Sequence, residues 1–583
     1  MPVGNCDYSN YLIFYTMNKK SILLTVAVAA LVLFACKPPK EFVDPINVSV
    51  NPLEMHAGKV EVTIDGTYPV KYFQKKMVMT VTPVLKSKIS SAEWRADSKT
   101  YQGEKVKDNN DVIKYKVGGE YKQVATFDYN PEMESSELWL EITGKLGKKE
   151  FTIDPIKVAD GVNITPLLVA VEAGEVETKI EKDNFQRIIE EKQEAEIRFL
   201  IQQSEVRKSE ISSDAVVALT KRIDEANKAA NLEMTGLEIS SYASPDGGMD
   251  LNEKLAEKRD QASQKYINKE LKKLKATVTI DSKFTAEDWE GFQALMEQSN
   301  IQDKEVILRV LSMYSDPEQR EAEIKNLSAA YKAIADEILP QLRRSKMTLA
   351  INVIGRSDAE IDSLAKANPD TLSLEELLYS ATLTADLERK AEIYTKVTEL
   401  YADEYRGFNN LGVVRYEQGD VEAAGRAFDK ALELNAKNAA VNYNCGVVAL
   451  VKGDNAKAEE CFGNAGGVGE SLNHVNGVLA IRRADYKKAV ELFGAAKVNN
   501  AALAKILTKD YAGARSVLEG VAKPNARTNY LLAVVAARQN DRAAVVANLK
   551  KAIEADGAWK EKAAKDVEFL AFAEDEEFAA LVK

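Results

Sequence analysis

Hydrophobic and polar positions change rhythm twice along this chain. From Lys37 to about Leu168 they alternate with period two. Lys59-Val-Glu-Val-Thr-Ile-Asp, Met77-Val-Met-Thr-Val-Thr-Pro-Val and Glu137-Leu-Trp-Leu-Glu-Ile-Thr-Gly all follow this pattern. Turn clusters at Asp108-Asn-Asn-Asp and Gly118-Gly separate the runs, so residues 36–168 are predicted to form an antiparallel β-sandwich. Trp94 and Trp139 are expected to be core or half-buried strand aromatics rather than a sugar-stacking platform. From 169 to 357 the rhythm is mixed. Ala195-Glu-Ile-Arg-Phe-Leu-Ile, Gly236-Leu-Glu-Ile-Ser-Ser-Tyr and Met347-Thr-Leu-Ala-Ile-Asn-Val-Ile read as strands. The stretch opening at Ser212 and Leu251–Leu274 read as helices, which predicts an α/β sheet covered on one face. A helical insertion at about 282–345 carries Trp289, Leu295, Met296, Val306, Ile307 and Leu308, and is expected to pack on that sheet. From 358 to 583 the spacing is helical and repeats.

Ahead of the first strand, Met17-Asn-Lys-Lys precedes an unbroken apolar run that ends at Leu33-Phe34-Ala35-Cys36. The run is too short and too near the charged start to read as a spanning helix, and it fits a secretory signal over 17–35. Leu33–Cys36 resembles the lipobox of bacterial lipoproteins. That resemblance implies acylation of Cys36, release of the signal, and anchoring in the outer membrane through lipid. Residues 1–16 lack lysine and arginine and read as an upstream, non-native start. The β region, expected to be Ig-like, resembles N-terminal domains of Bacteroidetes lipoproteins.

In the mixed region, Ser241 to Arg259 follows a strand with an acidic, glycine-bearing loop and then a helix. Gly247, Asn252, Leu255 and Arg259 stand at the spacing of the OmpA C-terminal-like peptidoglycan-binding family, which the segment resembles. The family implies a peptidoglycan stem peptide as ligand, its diamino acid held as a zwitterion by an aspartate and Arg259. Ser244 occupies the aspartate position here, and Asp246 stands two residues on. The candidate set is therefore Ser244, Asp246, Asn252 and Arg259. A helix N-terminus favours the ligand's carboxylate, and Arg259 offers a bidentate fork. The plainer reading pairs Arg259 with Asp246 or Glu257 and makes Asn252 a cap.

Leu411-Gly412, Gly419-Asp420, Ala424, Phe428 and Ala431 recur 34 residues later as Cys445-Gly446, Gly453-Asp454, Ala458, Phe462 and Ala465. A third copy keeps Gly477, Ala489, Phe493 and Ala496, and degenerate copies lie near Ala514 and Ala552. This resembles the tetratricopeptide (TPR) family, whose stacked helix pairs present a groove to a peptide or partner helix. The phenylalanines are expected to fill gaps between repeats. Arg415 is expected to point into the groove, His474 to be a turn residue, and Cys445 a small core residue. Asp566 to Leu581 is expected to form a capping helix.

Composition narrows the function. The formal net charge is −12 with 29% charged residues, so no nucleic-acid partner is expected. Two histidines, His56 and His474, and four cysteines leave little material for a metal site or a nucleophile; no metal, cofactor or enzymatic activity is expected. The chain reads as multidomain: a sandwich, an OmpA-like α/β domain and a TPR solenoid. The expected function is a lipid-anchored, periplasm-facing envelope adaptor that touches peptidoglycan and binds a protein through its repeats. The alternative is a structural subunit of a secretion or pilus-assembly complex whose OmpA-like domain no longer binds the wall.

Overall fold

The computed structural model describes residues 37–171, 175–326 and 328–583; Cys36 and the segments 1–16 and 17–35 lie outside the described residues. Two compact units result. One joins the residues up to Glu181 with Tyr401–Lys583, and the other is Lys182–Leu400. The sequence places a boundary after 357, whereas the second unit runs on to Leu400. Its last helices are held to its own start: Phe185 stacks on Tyr379 at 4.5 Å, Asn184 N–H donates to Glu375, and Arg187 pairs with Asp358.

In the first unit, the period-two segments become two sheets. One is built on Lys59–Tyr68, which pairs antiparallel with Gly119–Asp128. The other is built on Met77–Ser87 and Ser136–Leu146, which pair over their full length. Alternate residues point inward, and Val60, Val62 and Ile64 share a core with Met77, Met79, Val81, Leu138, Leu140 and Ile142. Trp94 is half-buried against this core.

The same unit contains five antiparallel helix pairs between Tyr405 and Ala555, a solenoid consistent with the TPR pattern. The first helices are Tyr405–Glu417, Ala439–Val451, Glu470–Arg482, Asn499–Leu507 and Ala526–Arg538. Small residues let the two helices of a pair approach. A Cβ on Gly412 would lie 2.6 Å from the Phe428 ring, on Gly446 2.4 Å from Phe462, and on Gly477 2.8 Å from Phe493. Each phenylalanine thus packs on the glycine of its own pair. Between the helices of a pair the chain turns through a left-handed residue: Gly419, Gly453, Ala484, Lys509 or Asn540. The aspartate that follows caps the second helix by accepting from a backbone N–H three residues on. His474 is not in a turn. It lies within Glu470–Arg482, edge-on to Phe493 at 5.2 Å, because the shortened third repeat still closes a full first helix. The C-terminal segment is a 3-10 turn, Val567–Phe572, followed by a short helix, Glu576–Val582, rather than one continuous helix.

One end of the sandwich is bolted to the solenoid from its third helix pair to its C-terminal segment. Thr165 Oγ1 donates to Glu568, Arg538 makes two 2.7 Å bonds to the same carboxylate, and His56 Nδ1 lies 2.6 Å from the Tyr486 hydroxyl.

The second unit holds a four-stranded sheet in the order Ile188–Arg198, Arg344–Ile354, Leu232–Tyr242, Ile280–Thr285. The last two run parallel and the others antiparallel. Helices Asp214–Lys228 and Met249–Leu274 bury Val216, Leu219, Ile223, Tyr266, Ile267 and Leu271 against one face. The insertion does not pack its apolar face on this sheet as expected. Phe292, Met296, Ile307, Leu311, Ile324 and Ile334 form a separate core, because its short helices supply enough apolar residues to cover one another. Among the described residues no helix is long and apolar enough to cross a membrane.

Candidate functional site

The loop after strand Leu232–Tyr242 brings three of the sequence-derived residues close together and places the fourth beneath them. Helix Met249–Leu274 starts at Gly248, which has no side chain to cap it. Asn252 does not cap either: its amide donates to Gly247 O at 2.8 Å and to Glu287 Oε1 at 3.0 Å. Ser244 Oγ donates to Asp246 at 2.6 Å. Arg343 donates to Asp246 Oδ2 at 2.9 Å and to Ser244 Oγ at 3.1 Å. Arg259 is 0% exposed and pairs with neither Asp246 nor Glu257. It donates to the backbone carbonyls of Tyr242 at 2.8 Å, Gln203 at 3.0 Å and Leu200 at 3.4 Å, above the Phe199 ring. Burial, then the charge of Arg343, pulls its pKa down to about 10 against the opposing pull of Asp246. Burial raises the Glu287 carboxyl above its ordinary range, partly offset by bonds from Trp289 and Asn252. The cluster therefore carries two guanidiniums against Asp246. Both guanidiniums already have partners, Arg343 on Asp246 and Arg259 on three carbonyls, and the Glu287 carboxyl is held by Asn252 and Trp289. Arg343 and Glu287, which decide this, lie far along the chain from the motif and gave no local signal.

The concave side of the solenoid already holds a ligand, and that ligand is the chain itself. Residues 169–171 and 175–181 lie along it counter to the repeat order. Asn500 exchanges two hydrogen bonds with the backbone of Ala170, at 2.9 and 2.8 Å. Asn444 does the same for Lys179 at 2.7 Å in each direction, and Asn410 for Glu181 at 2.8 Å in each direction. Asn409 adds a bond to Lys179 O at 3.0 Å. Tyr416 donates to Val171 O at 2.8 Å. Glu175 accepts from Asn499 and Asn525, and Glu181 from the Tyr405 hydroxyl. Val176 and Leu168 enter the solenoid core.

Each asparagine amide meets one N–H and one C=O of an extended strand, as a neighbouring β-strand would, so the side chains read main chain rather than sequence. Asn410 and Asn444 stand 34 residues apart, two before the repeat glycine, and that is the signal the sequence held. Arg415 is half-buried and donates to Gln418 on its own helix at 2.9 Å. Cys445 and Cys461 are buried free thiols; burial pushes Cys445 up to about 12. Among the described residues no group of three or more His, Cys, Asp or Glu side chains could hold a metal ion.

No family model and no curated protein matches the chain. Solved structures with likeness to it include a tetratricopeptide repeat protein from Parabacteroides merdae. It is 16% identical with a TM-score of 0.29, and the match covers 35% of this chain and 88% of that one. YrrB, a TPR protein with an unusual peptide-binding site, is 23% identical with a TM-score of 0.22, over 29% and 94%. Pseudomonas aeruginosa pilF is 14% identical with a TM-score of 0.26, over 39% and 98%. Likeness at this level lends no weight to a function, and the solenoid stands on its own geometry.

Proposed function

We propose that this chain is a non-enzymatic, lipid-anchored envelope scaffold, a structural subunit whose repeats are committed to its own architecture. Acylation at Cys36 would hold it at the outer membrane, facing the periplasm. The observation that carries the reading is the amide-bound stretch seen at residues 169–171 and 175–181. A groove gripping its own chain at Ala170, Lys179 and Glu181 joins sandwich and solenoid into one body. Protein partners would then meet other surfaces of the repeats. The test is a fluorescent peptide of residues 169–181 titrated into the intact protein. No binding is expected to wild type, and binding is expected to an Ala170→Pro/Lys179→Pro/Glu181→Pro variant, whose own segment loses the three N–H donors while the groove keeps Asn410, Asn444 and Asn500. Micromolar binding to the wild-type chain would mean that the groove is open to partners and would return the adaptor reading.

Contact with peptidoglycan is the second reading. The OmpA-like spacing of Gly247, Asn252, Leu255 and Arg259 favours it, as does the uncapped helix start at Gly248. Against it, Asp246 is already neutralised by Arg343, so a zwitterionic stem peptide would find no counter-charge for its amine. Sedimentation with purified sacculi decides. Saturable co-sedimentation that is lost in an Asp246→Asn variant would establish wall binding; recovery of all the protein in the supernatant supports the scaffold.

A further inference from the structure

The two ends of the β-sandwich differ in charge. The end against the solenoid uses Glu54, Thr165, Arg538 and Glu568. The opposite end is made of the loops 69–76, 104–107, 114–118 and 145–149. Backbone bonds gather them: Lys105 N–H to Lys75 O, Gly147 N–H to Lys76 O, and Lys71 N–H to Tyr115 O. These loops contain ten lysines and one acidic residue, Glu104, in a chain whose acidic residues outnumber its basic ones, 90 to 78. Glu104 is taken by Lys75 at 2.9 Å. Lys76, Lys105, Lys116 and Lys148 have no ion pair among the described residues and stand exposed. Collecting this much positive charge on one end destabilises the fold by self-repulsion, so its retention calls for an anionic counterpart.

Two further features say what kind. Valines project among the lysines: Val70 is 57% exposed and Val117 71%. Beside them is a cavity of about 420 Å³ whose lining includes Lys75, Lys76, Lys105, Tyr115 and Leu146, so that lysines and apolar groups meet in one hollow. Apolar tips ringed by lysine match the boundary between phospholipid headgroups and acyl chains. The second feature is the path of the chain. Lys37 O accepts from Gln74 Nε2 at 2.5 Å, and Phe42 wedges edge-on between Tyr68 and Tyr121. The residue that follows Cys36 is therefore pinned at this same end.

We propose that the lysine-bearing end of the sandwich is a docking face for an anionic phospholipid membrane. Its chemistry stands on the lysines and valines; only the statement that it faces the anchoring bilayer rests on the proposed acylation of Cys36. On that reading the acyl chains and the lysines act on one surface, and the two weak attachments reinforce each other.

The test uses non-acylated protein, residues 37–583, in sedimentation with vesicles of phosphatidylcholine alone or mixed with an equal part of phosphatidylglycerol. Binding to the mixed vesicles only is expected, weakened by high salt. A Lys76→Glu/Lys105→Glu/Lys116→Glu/Lys148→Glu variant should partition at least about tenfold less. Lys523→Glu/Lys550→Glu, in the solenoid, should match wild type. Val117→Trp should shift its emission to the blue on mixed vesicles. Absence of binding, equal binding to neutral vesicles, or equal loss in the solenoid variant would overturn the proposal. Fatty-acid labelling of Cys36 is scored separately: a labelled protein that ignores anionic vesicles keeps its anchor and loses the docking face, and the reverse result keeps the face alone.

Discussion

The solenoid groove and the Ser244 loop are both polar hollows lined from helices, and both are closed from within, by opposite means. In the groove, neutral amides hold neutral main chain: Asn410, Asn444 and Asn500 each satisfy one donor and one acceptor. In the loop, charge holds charge: Arg343 grips Asp246, while Arg259 spends its fork on three carbonyls. The rungs of the groove are amides on main chain, with carboxylate contacts only at Glu175 and Glu181 beside them among the described residues. The loop is tuned to ions and to pH. A buried polar group must be paired in the folded state, so an incoming ligand at either place must first replace a partner that is already there.

The sharpest way to break this contrast is Arg343→Met. It leaves Asp246 mostly buried without its counter-ion and should cost about 3 kcal/mol, read from the urea midpoint. Next is Asn444→Ala, which strips Lys179 N–H of its acceptor and should cost about 2 kcal/mol. Faster hydrogen exchange at the Lys179 amide, with that of Ala170 unchanged, would mark the loss as local to one rung.

The pH response should separate the two places more finely. Burial raises the folded Glu287 carboxyl above its ordinary 4.5, so the folded state keeps this proton where the unfolded chain has released it. The stability this adds is full below about 4.5 and falls away as pH climbs through the raised value. Glu287→Gln should flatten that part of the stability–pH curve, while Asn444→Ala should shift the curve without changing its shape. The smallest effect is expected for Arg415→Ala, within about 0.5 kcal/mol, with Lys179 exchange unaltered, since among the described residues Arg415 bonds only Gln418.

Much of the fold was legible because its causes are local. Gly412 with Phe428, and Gly446 with Phe462, mark close helix crossings within a few turns of chain. The degenerate repeats were harder to read, because left-handed turns fall on Lys509 and Asn540 where glycine is absent; the capping Asp510 and Asp541 were the surviving marks. Strand Ile280–Thr285 escaped because it is an edge strand, mostly solvent-facing, with little apolar alternation to betray it. The loop motif was found from its spacing, yet its electrostatics depend on Arg343, 97 residues from Asp246. The occupant of the groove was invisible for a similar reason. Residues 169–181 have no periodicity, and their partners lie more than 200 residues away.

The course of that segment decides how the molecule answers to force. It leaves the sandwich beside Asn500 and exits beside Asn410, so a pull between the sandwich and residue 182 runs lengthwise along the groove. The rungs at Ala170, Lys179 and Glu181 are then strained together, in shear, and none can be peeled away before the rest.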